Sequence, residues 1–149
     1  MIEDMGEEDN GAISLHAIKG VASSKIIKVE GRVQEGTLMV LIDSGSTHSF
    51  IDESTAKKMK YPLASTKPFS VTVANGNRLI SKSACLGFCR EMQGEVFEAN
   101  LRLLKLGGCH IVLGVDWMKE MSPISFDFNR MEVTFVKDGR KKTLTSSLE

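Results

Sequence analysis

The feature that most constrains this chain is a polar tetrapeptide, Asp43-Ser44-Gly45-Ser46, that directly follows the apolar run at residues 38–42. A carboxylate at the end of an apolar strand is costly to bury unless it is hydrogen-bonded. Gly45 allows a sharp turn with close neighbours, and Ser44 and Ser46 supply hydroxyl groups beside the acid. The segment therefore predicts a tight loop that holds one carboxylate at the end of a buried strand.

The bulk properties narrow the class of protein. A chain of 149 residues is long enough for one domain with a real core. Lysine and arginine number 19, as do aspartate and glutamate, and this zero net charge argues against a nucleic-acid or membrane-surface module. No apolar stretch approaches the roughly 18 residues of a membrane span, and the acidic N-terminus is unlike a secretory signal. We expect no direct nucleic-acid partner and no membrane partner.

The cysteines favour a reducing compartment and leave one metal alternative open. Three cysteines offer no disulfide framework, so we expect a cytoplasmic protein. Cys85, Cys89 and Cys109, with His110, hint at a zinc site, although the first two lie in a strand-like stretch. Because buried free thiols are far commoner than such sites, we expect no metal and no cofactor.

Turn signals divide the chain into many short strands, which predicts an all-β barrel or sandwich with one or two short helices. Residues 1–12 are acidic and poor in large apolar groups, so they are predicted to be a disordered tail or linker. Residues 13–145 are predicted to be the folded domain, and residues 146–149 a frayed C-terminus. The strand at 37–42 is apolar on both faces, which predicts a central position in the sheet.

The remaining elements follow from alternation and capping signals. Strands are predicted at 27–33, 69–73, 97–103, 111–114, 124–128, 131–136 and 140–144, with a return strand from 79 onward. Short helices are predicted at 52–59, with Asp52 as N-cap, and at 116–121. Turns are predicted at Asn-Gly, Gln-Gly, Asn-Arg and Asp-Gly pairs, namely 75–76, 93–94, 129–130 and 138–139.

Three segments, in order, resemble the protease of gypsy-type LTR retrotransposons of plants, a member of the retropepsins. Residues 41–51 resemble the active-site segment of that family, residues 71–79 its flap-region hairpin, and residues 111–118 its second hallmark, an apolar pair plus Gly before a short helix. The resemblance covers roughly residues 13–136. It implies a closed, mostly β acid-protease barrel that forms one subunit of a symmetric homodimer.

The resemblance also implies roles for individual residues. Asp43 would be the catalytic carboxylate of each subunit, Ser44 would brace the two active-site loops across the two-fold axis, Gly45 would form the tight loop, and Ser46 would hydrogen-bond the carboxylate. The substrate-binding flap tip would comprise Ala74, Asn75, Gly76 and Asn77, and the residues packed beneath the active site would be Leu113 and Gly114.

The chemistry of a carboxylate pair agrees with a dimer. Two close carboxylates cannot both ionise easily, so they share a proton, and the pair can act as base toward water and as acid toward the substrate. Only Asp43 has the strand-end, Gly-flanked setting, so the second carboxylate must come from a symmetry mate. We therefore expect an aspartic endopeptidase that processes a retrotransposon-type polyprotein, with a second copy and peptide segments of that polyprotein as its partners.

Several alternatives remain open at this point. The fold could serve as a catalytically silent dimerisation or peptide-binding module. Asp116 could be a catalytic partner within one chain, although we expect it to cap the following helix. His48 could tune the site electrostatically or simply pack. Where retroviral enzymes often carry substrate-binding carboxylates, this chain has Thr47 and His48, so no substrate contact is assigned there.

Overall fold

The computed structural model describes residues 2–3, 10–19, 26–34 and 36–146, which form two β-sheets and three short helices. The large sheet has nine strands in the order β1-β6-β7-β8-β5-β9-β4-β3, with β2 added alongside β6. The small sheet has three strands in the order β10-β11-β12. The fold is therefore mostly β, as the turn spacing predicted.

The elements have the following bounds. The strands are β1 Ile2–Glu3, β2 Asn10–Ile13, β3 Ile26–Val33, β4 Gly36–Asp43, β5 Phe50–Asp52, β6 Ala64–Val73, β7 Arg78–Met92, β8 Glu95–Leu104, β9 Ile111–Leu113, β10 Ile124–Asp127, β11 Glu132–Lys137 and β12 Arg140–Thr145. The helices are α1 Leu15–Lys19, α2 Glu53–Lys58 and α3 Val115–Glu120. Each strand predicted from alternation is confirmed, most with end shifts of one or two residues, whereas β6 begins five residues before the predicted start at 69.

Strand β4 is an interior strand but not the central one that its two apolar faces predicted, since only β3 lies beyond it at that end of the sheet. It pairs with β3 on one side, antiparallel, and with β9 on the other, parallel. One face contributes to the main hydrophobic core, and the other, with Leu41, to a second cluster formed with β2, β6 and α1. Since Asp43 lies two residues beyond Leu41, its side chain emerges on the face of the second cluster.

Strand β2 differs from the predicted tail. Residues 10–12 were assigned to the disordered segment, but they form a strand that pairs in parallel with β6 from Ser70 to Val73. The physical reason is Ile13, which is fully buried in the second cluster and holds the preceding residues against β6. Residues 1, 4–9 and 147–149 of the predicted tails lie outside the described part of the chain.

The predicted closed barrel stays a prediction. The hydrogen-bonded order of the large sheet runs from β1 to β3, and within the described ranges no strand pairing joins these two ends. Strand β3 instead approaches the β7–β8 turn, where the side-chain amide of Gln93 donates to the carbonyl of Glu30 at 3.2 Å. Strand β3 is thus linked to the β7–β8 turn by a side-chain contact and not by strand pairing.

The helix caps are partly as predicted. Asp52 is the N-cap of α2, since its carboxylate accepts from the backbone amide of Thr55 at 3.4 Å. The N-cap of α3, however, is Gly114, so the prediction that Asp116 caps this helix is wrong. Asp116 lies in the first turn, where its carboxylate accepts from the amide of Trp117 at 2.7 Å. Trp117 itself is buried in the main core between Phe97 and Phe135.

One inward-facing charge breaks the alternation predicted for β8. Arg102 is charged, but it is buried, and its guanidinium carbon lies 3.7 Å from the ring centroid of Phe69. Both faces of β8 are covered near this residue, since Leu101 and Leu103 lie in the main core on one face and Phe69 covers Arg102 on the other. No helix in the described residues is long and apolar enough to cross a membrane.

Candidate active site

The structure places Asp43 at the C-terminal end of β4, opposite Ile26 of β3, with only 3% of its surface exposed. Such a carboxylate is tolerated because donors surround it. The backbone amide of Gly45 donates to Oδ1 at 2.9 Å, and the Ser46 hydroxyl donates to Oδ2 at 3.1 Å. The loop closes on itself through the Ser46 amide, which donates to the Asp43 carbonyl at 3.2 Å.

The four residues of the tetrapeptide divide into two buried and two exposed positions. Asp43 and Ser46 are buried, and Ser44 and Gly45 are exposed in the isolated chain. The exposed half of the loop is therefore accessible to another molecule. The buried half fixes the carboxylate with respect to the sheet.

Ser14 is the site residue that the sequence analysis missed. Its hydroxyl donates to Asp43 Oδ2 at 2.5 Å. The hydroxyl oxygen of Ser14 also accepts from the backbone amide of Ala17 at 3.0 Å. Ser14 thus caps the first turn of α1 and contacts the carboxylate at once. The available sequence signal was a serine, a residue type suited to an N-cap, directly before the short helical segment at 15–19.

Strand β2 joins the active-site loop to the hairpin strand β6. The Thr47 amide donates to the carbonyl of Ala12 at 2.9 Å, and the Ala12 amide donates to the Thr47 hydroxyl at 2.8 Å. The same stretch pairs with the end of β6, directly before the hairpin tip at 74–77. One strand therefore contacts both the loop that carries Asp43 and the hairpin predicted to be the flap.

The hairpin itself has the tight turn that its Asn-Gly pair predicted. The Gly76 amide donates to the carbonyl of Val73 at 2.8 Å, and Gly76 has a φ of 93°. The amide of Asn77 donates to the side-chain oxygen of Asn75 at 3.0 Å, which stabilises the turn locally. Residues 74–77 are exposed, so the tip projects into solvent in the isolated chain.

Gly114 packs directly beneath the active-site loop. A Cβ atom at this position would lie 2.3 Å from the carbonyl oxygen of His48 and 2.5 Å from that of Ser46, so only glycine fits here. Leu113, the residue before it, is buried in the main core. The next amide, that of Val115, donates to the Ser46 carbonyl at 2.8 Å. The 113–115 segment therefore supports the loop through backbone contacts.

The Asp116 carboxylate binds Ser49 and the first turn of α3. Its carboxylate accepts from the hydroxyl of Ser49 at 2.6 Å and from the Ser49 amide at 3.2 Å. The Ser49 hydroxyl in turn accepts from the Gly114 amide at 3.0 Å. Asp116 therefore ties helix α3 to the residue that follows the active-site loop, and these bonds occupy both of its oxygens.

His48 packs beside the loop. Its Nδ1 lies 2.7 Å from the Thr47 hydroxyl, and its ring meets the Phe69 ring edge-on at a centroid distance of 4.9 Å. Phe69 also lies under the buried guanidinium of Arg102. These contacts fit a packing role for His48 at the loop's outer side.

The residues of the zinc alternative are held apart. Cys85 is buried in the main core, Cys109 in the second cluster, and Cys89 is exposed. Burial raises the pKa of Cys85 to about 11 and that of Cys109 to about 12, so both remain protonated thiols. Among the described residues no group of three or more His, Cys, Asp or Glu side chains could hold a metal ion.

A polar cavity opens at the other end of β4, lined by side chains that include Thr37, Lys58 and His110. Asp52 lies on its wall. Burial alone would raise the pKa of this carboxyl, but hydrogen bonds from Ser54, Leu106 and Thr55 outweigh burial and lower it. Because these bonds serve the cap of α2, Asp52 is committed to structure.

The fold and the site define a family. The chain belongs to the retroviral aspartyl protease family, whose model matches residues 12–141. Its fold is similar to that in the crystal structure of the retroviral protease-like domain of Ddi1 from Leishmania major, with a TM-score of 0.55, 13% sequence identity, and coverage of 83% of this chain and 94% of that chain. No curated protein sequence matches the chain. At this identity the structural likeness shows a retropepsin-like fold.

Proposed function

We propose that this chain is an aspartic endopeptidase that acts as a symmetric homodimer, with one Asp43 carboxylate from each subunit. The observation that carries this proposal is the setting of Asp43, a buried carboxylate at the end of an interior strand. Donors from Gly45 and Ser46 fix its two oxygens. A scaffold protein has no need for a buried carboxylate at this place, because its desolvation destabilises the fold unless other groups compensate.

The need for a second copy follows from where the other carboxylates are engaged. Asp116 is bound by Ser49 and by the first turn of α3, and Asp52 is bound by the first turn of α2. Neither is free to pair with Asp43. A two-fold axis beside the exposed Ser44 and Gly45 would bring Asp43 of one subunit next to Asp43 of the other.

The reaction then needs no metal and no covalent intermediate. The ionised carboxylate takes a proton from a bound water as its oxygen attacks the scissile carbonyl, and the protonated carboxyl gives its proton to the carbonyl oxygen. The C–N bond of the tetrahedral intermediate breaks as its nitrogen takes a proton from one carboxyl, while a hydroxyl of the intermediate returns its proton to the other carboxylate and becomes the carbonyl of the product acid. The dyad ends with one shared proton, as it began.

The closed barrel and the flap belong to the same proposal. In the dimer the 74–77 hairpin would lie over the substrate and exclude water during the reaction. The substrate would be an extended peptide segment of the protein's own polyprotein. The resemblance of residues 41–51, 71–79 and 111–118 supports a retrotransposon source for that polyprotein, and the free thiols support an intracellular setting.

The decisive experiment follows the chain fused to its natural flanking sequence. We expect the purified fusion to cleave itself, and the Asp43→Ala fusion to remain intact. A statine-type inhibitor should block the cleavage, because it mimics the tetrahedral intermediate. An intact wild-type fusion that still binds a peptide would instead indicate a silent peptide-binding module.

A further inference from the structure

We propose that Ser14 is a positioning residue for Asp43, so that the N-terminal segment 10–19 belongs to the machinery of the active site. This inference rests on the proposed function, since it concerns the same carboxylate. The observation behind it is the hydrogen bond of 2.5 Å between the Ser14 hydroxyl and Asp43 Oδ2. Neither the tetrapeptide nor the hairpin contains this residue.

The direction of that hydrogen bond is fixed by the helix that follows. A serine hydroxyl has one proton to donate and lone pairs to accept with. The Ala17 amide donates to the Ser14 oxygen at 3.0 Å, so the hydroxyl proton is left to point toward Asp43. The capping of α1 therefore orients Ser14 as a donor to the carboxylate.

Ser14 also reaches Asp43 indirectly, through a chain of two hydrogen bonds that passes through Ser46. The backbone amide of Ser14 donates to the Ser46 oxygen at 3.3 Å, and the Ser46 hydroxyl donates to the same Asp43 Oδ2 at 3.1 Å. Ser14 thus orients both hydroxyl groups that contact this oxygen, one with its side chain and one with its backbone. Loss of the Ser14 side chain would remove the Ser14 hydroxyl as a donor and leave the hydrogen bonds through Ser46 in place.

The two oxygens of Asp43 differ in the hydrogen bonds that they accept. Oδ2 receives two hydroxyl donors, whereas among the described residues Oδ1 receives only the Gly45 amide. A carboxylate oxygen has two lone pairs in its plane, so Oδ2 is saturated and Oδ1 keeps one free. We therefore assign Oδ1 as the oxygen that faces the second carboxylate and the catalytic water, and Ser14 as a residue that enforces this choice.

Ser14 is held in place from both sides. Before it, β2 pairs with β6 and with Thr47, and Gly11 lies so close to His48, Thr47 and Phe69 that a Cβ would meet each of them within 3 Å. After it, Ala17 is fully buried, and the Gly107 amide donates to the carbonyl of Ile18 at 2.7 Å. The hydroxyl therefore has little freedom to leave Asp43.

The test compares two substitutions that both leave a tolerated residue at the N-cap of α1. Ser14→Gly removes the hydroxyl, while Gly is still tolerated at an N-cap; Ser14→Thr keeps both the hydroxyl and the cap. We expect Ser14→Gly to lower kcat about 10-fold or more with KM nearly unchanged, as for a lost hydrogen bond to a charged group, and Ser14→Thr to retain most of the activity. Equal kcat in the wild type and Ser14→Gly would overturn the proposal. A higher kcat in Ser14→Gly would also overturn it, and would identify the segment as a cover over the site.

A second readout does not depend on activity. In proton NMR spectra a hydroxyl held in such a bond exchanges slowly with water and should give a resolved signal from Ser14. We expect the signal in the wild type and in Ser14→Thr, and its loss in Asp43→Ala. Absence of the signal from the wild type would overturn the Ser14 assignment. A chain that shows the signal but cleaves no substrate would support the Ser14–Asp43 contact and refute the proposed function instead.

Discussion

At the scale of single residues, the proposed chemistry rests on the ionisable group of Asp43. Asp43→Asn keeps the shape of the side chain and removes the group that activates water, so we expect a loss of kcat of roughly 1000-fold or more. Circular dichroism and thermal melting should show a folded variant. The matched control is Asp138→Asn, which makes the same change at an exposed turn aspartate directly before Gly139. Cleavage by Asp43→Asn at the wild-type rate would contradict the assigned site.

A second residue-scale prediction concerns His110 and stability. Its Nδ1 accepts from the Met39 amide at 2.8 Å, so the neutral ring is the form that fits. Burial lowers the pKa of His110, and Lys58 adds to this effect while Asp52 opposes it. Because the folded pKa lies below the unfolded value of about 6.5, the stabilising contribution is complete above that pH and is lost as the pH falls below it.

Urea unfolding at pH 7 and pH 5 measures this contribution. We expect the wild type to lose more stability between these pH values than His110→Asn, which places an uncharged acceptor near the Met39 amide. The comparison between the two proteins removes the contributions of other titrating groups. Identical losses in both proteins would show that His110 does not bind a proton on unfolding in this range.

The residue scale also shows what sequence reasoning can and cannot reach. Asp43 and its donors Gly45 and Ser46 were predictable because they lie within four positions of one another, and local chemistry explains each. Ser14 was not, since it is separated from Asp43 by 29 positions and meets it only through the pairing of β2. The burial of Arg102 was not predictable either, because alternation along a strand does not reveal whether one or both faces are covered.

At the scale of elements, the 74–77 hairpin is the part whose role most needs a test. Gly76 has a φ of 93° with open space around it, so a valine there would strain the backbone without a clash. Gly139 offers a matched control, because it has a φ of 72°, open surroundings and a place in the β11–β12 turn. The two positions differ in their place in the fold.

We expect Gly76→Val and Gly139→Val to destabilise the fold by similar amounts, about 1–3 kcal/mol of backbone strain each. Both variants should therefore melt at a lower temperature than the wild type, by a similar amount. Only Gly76→Val should lower kcat/KM, since only its hairpin would close over the substrate. Turnover that stays normal in Gly76→Val beside a lowered melting point would make the hairpin a structural turn.

Element positions were predictable where the pattern was local. The strands β3, β10, β11 and β12 follow from alternation and β4 from its apolar run, and the turns at 75–76, 93–94 and 138–139 follow from Asn, Gln or Asp before Gly. The N-cap of α3 was harder to predict, because aspartate is a residue type that suits an N-cap and Asp116 is close to the start of this helix. In the structure Gly114 is the N-cap, and its backbone passes against the carbonyls of Ser46 and His48. That close approach joins two distant segments, and spacing along the chain carries no sign of it.

At the scale of the whole molecule, the proposed mechanism makes the isolated chain half of a site. Asp43 is held in place, Asp52, the other buried carboxylate among the described residues, is engaged elsewhere, and Ser44 and Gly45 are exposed. If the second carboxylate comes from another copy, activity should fall faster than linearly when the protein is diluted through the dimer dissociation constant. Kinetics over a range of protein concentrations, with sedimentation measured in parallel, test this dependence. A constant specific activity across that range would contradict it, provided that sedimentation shows the dimer to dissociate.

A tandem dimer, with two copies joined by a flexible linker, gives the sharper test. A variant with Asp43→Ala in one copy leaves a single carboxylate in the shared site. Because one carboxylate cannot act as both base and acid toward the substrate, we expect this variant to be nearly as inactive as the variant with Asp43→Ala in both copies. The assay is run at high dilution, so that intact copies from separate molecules do not pair, and the unmodified tandem protein shows that the linker permits activity. If the single variant keeps about half of the unmodified activity, each copy has a complete site of its own, and the shared-carboxylate mechanism is wrong.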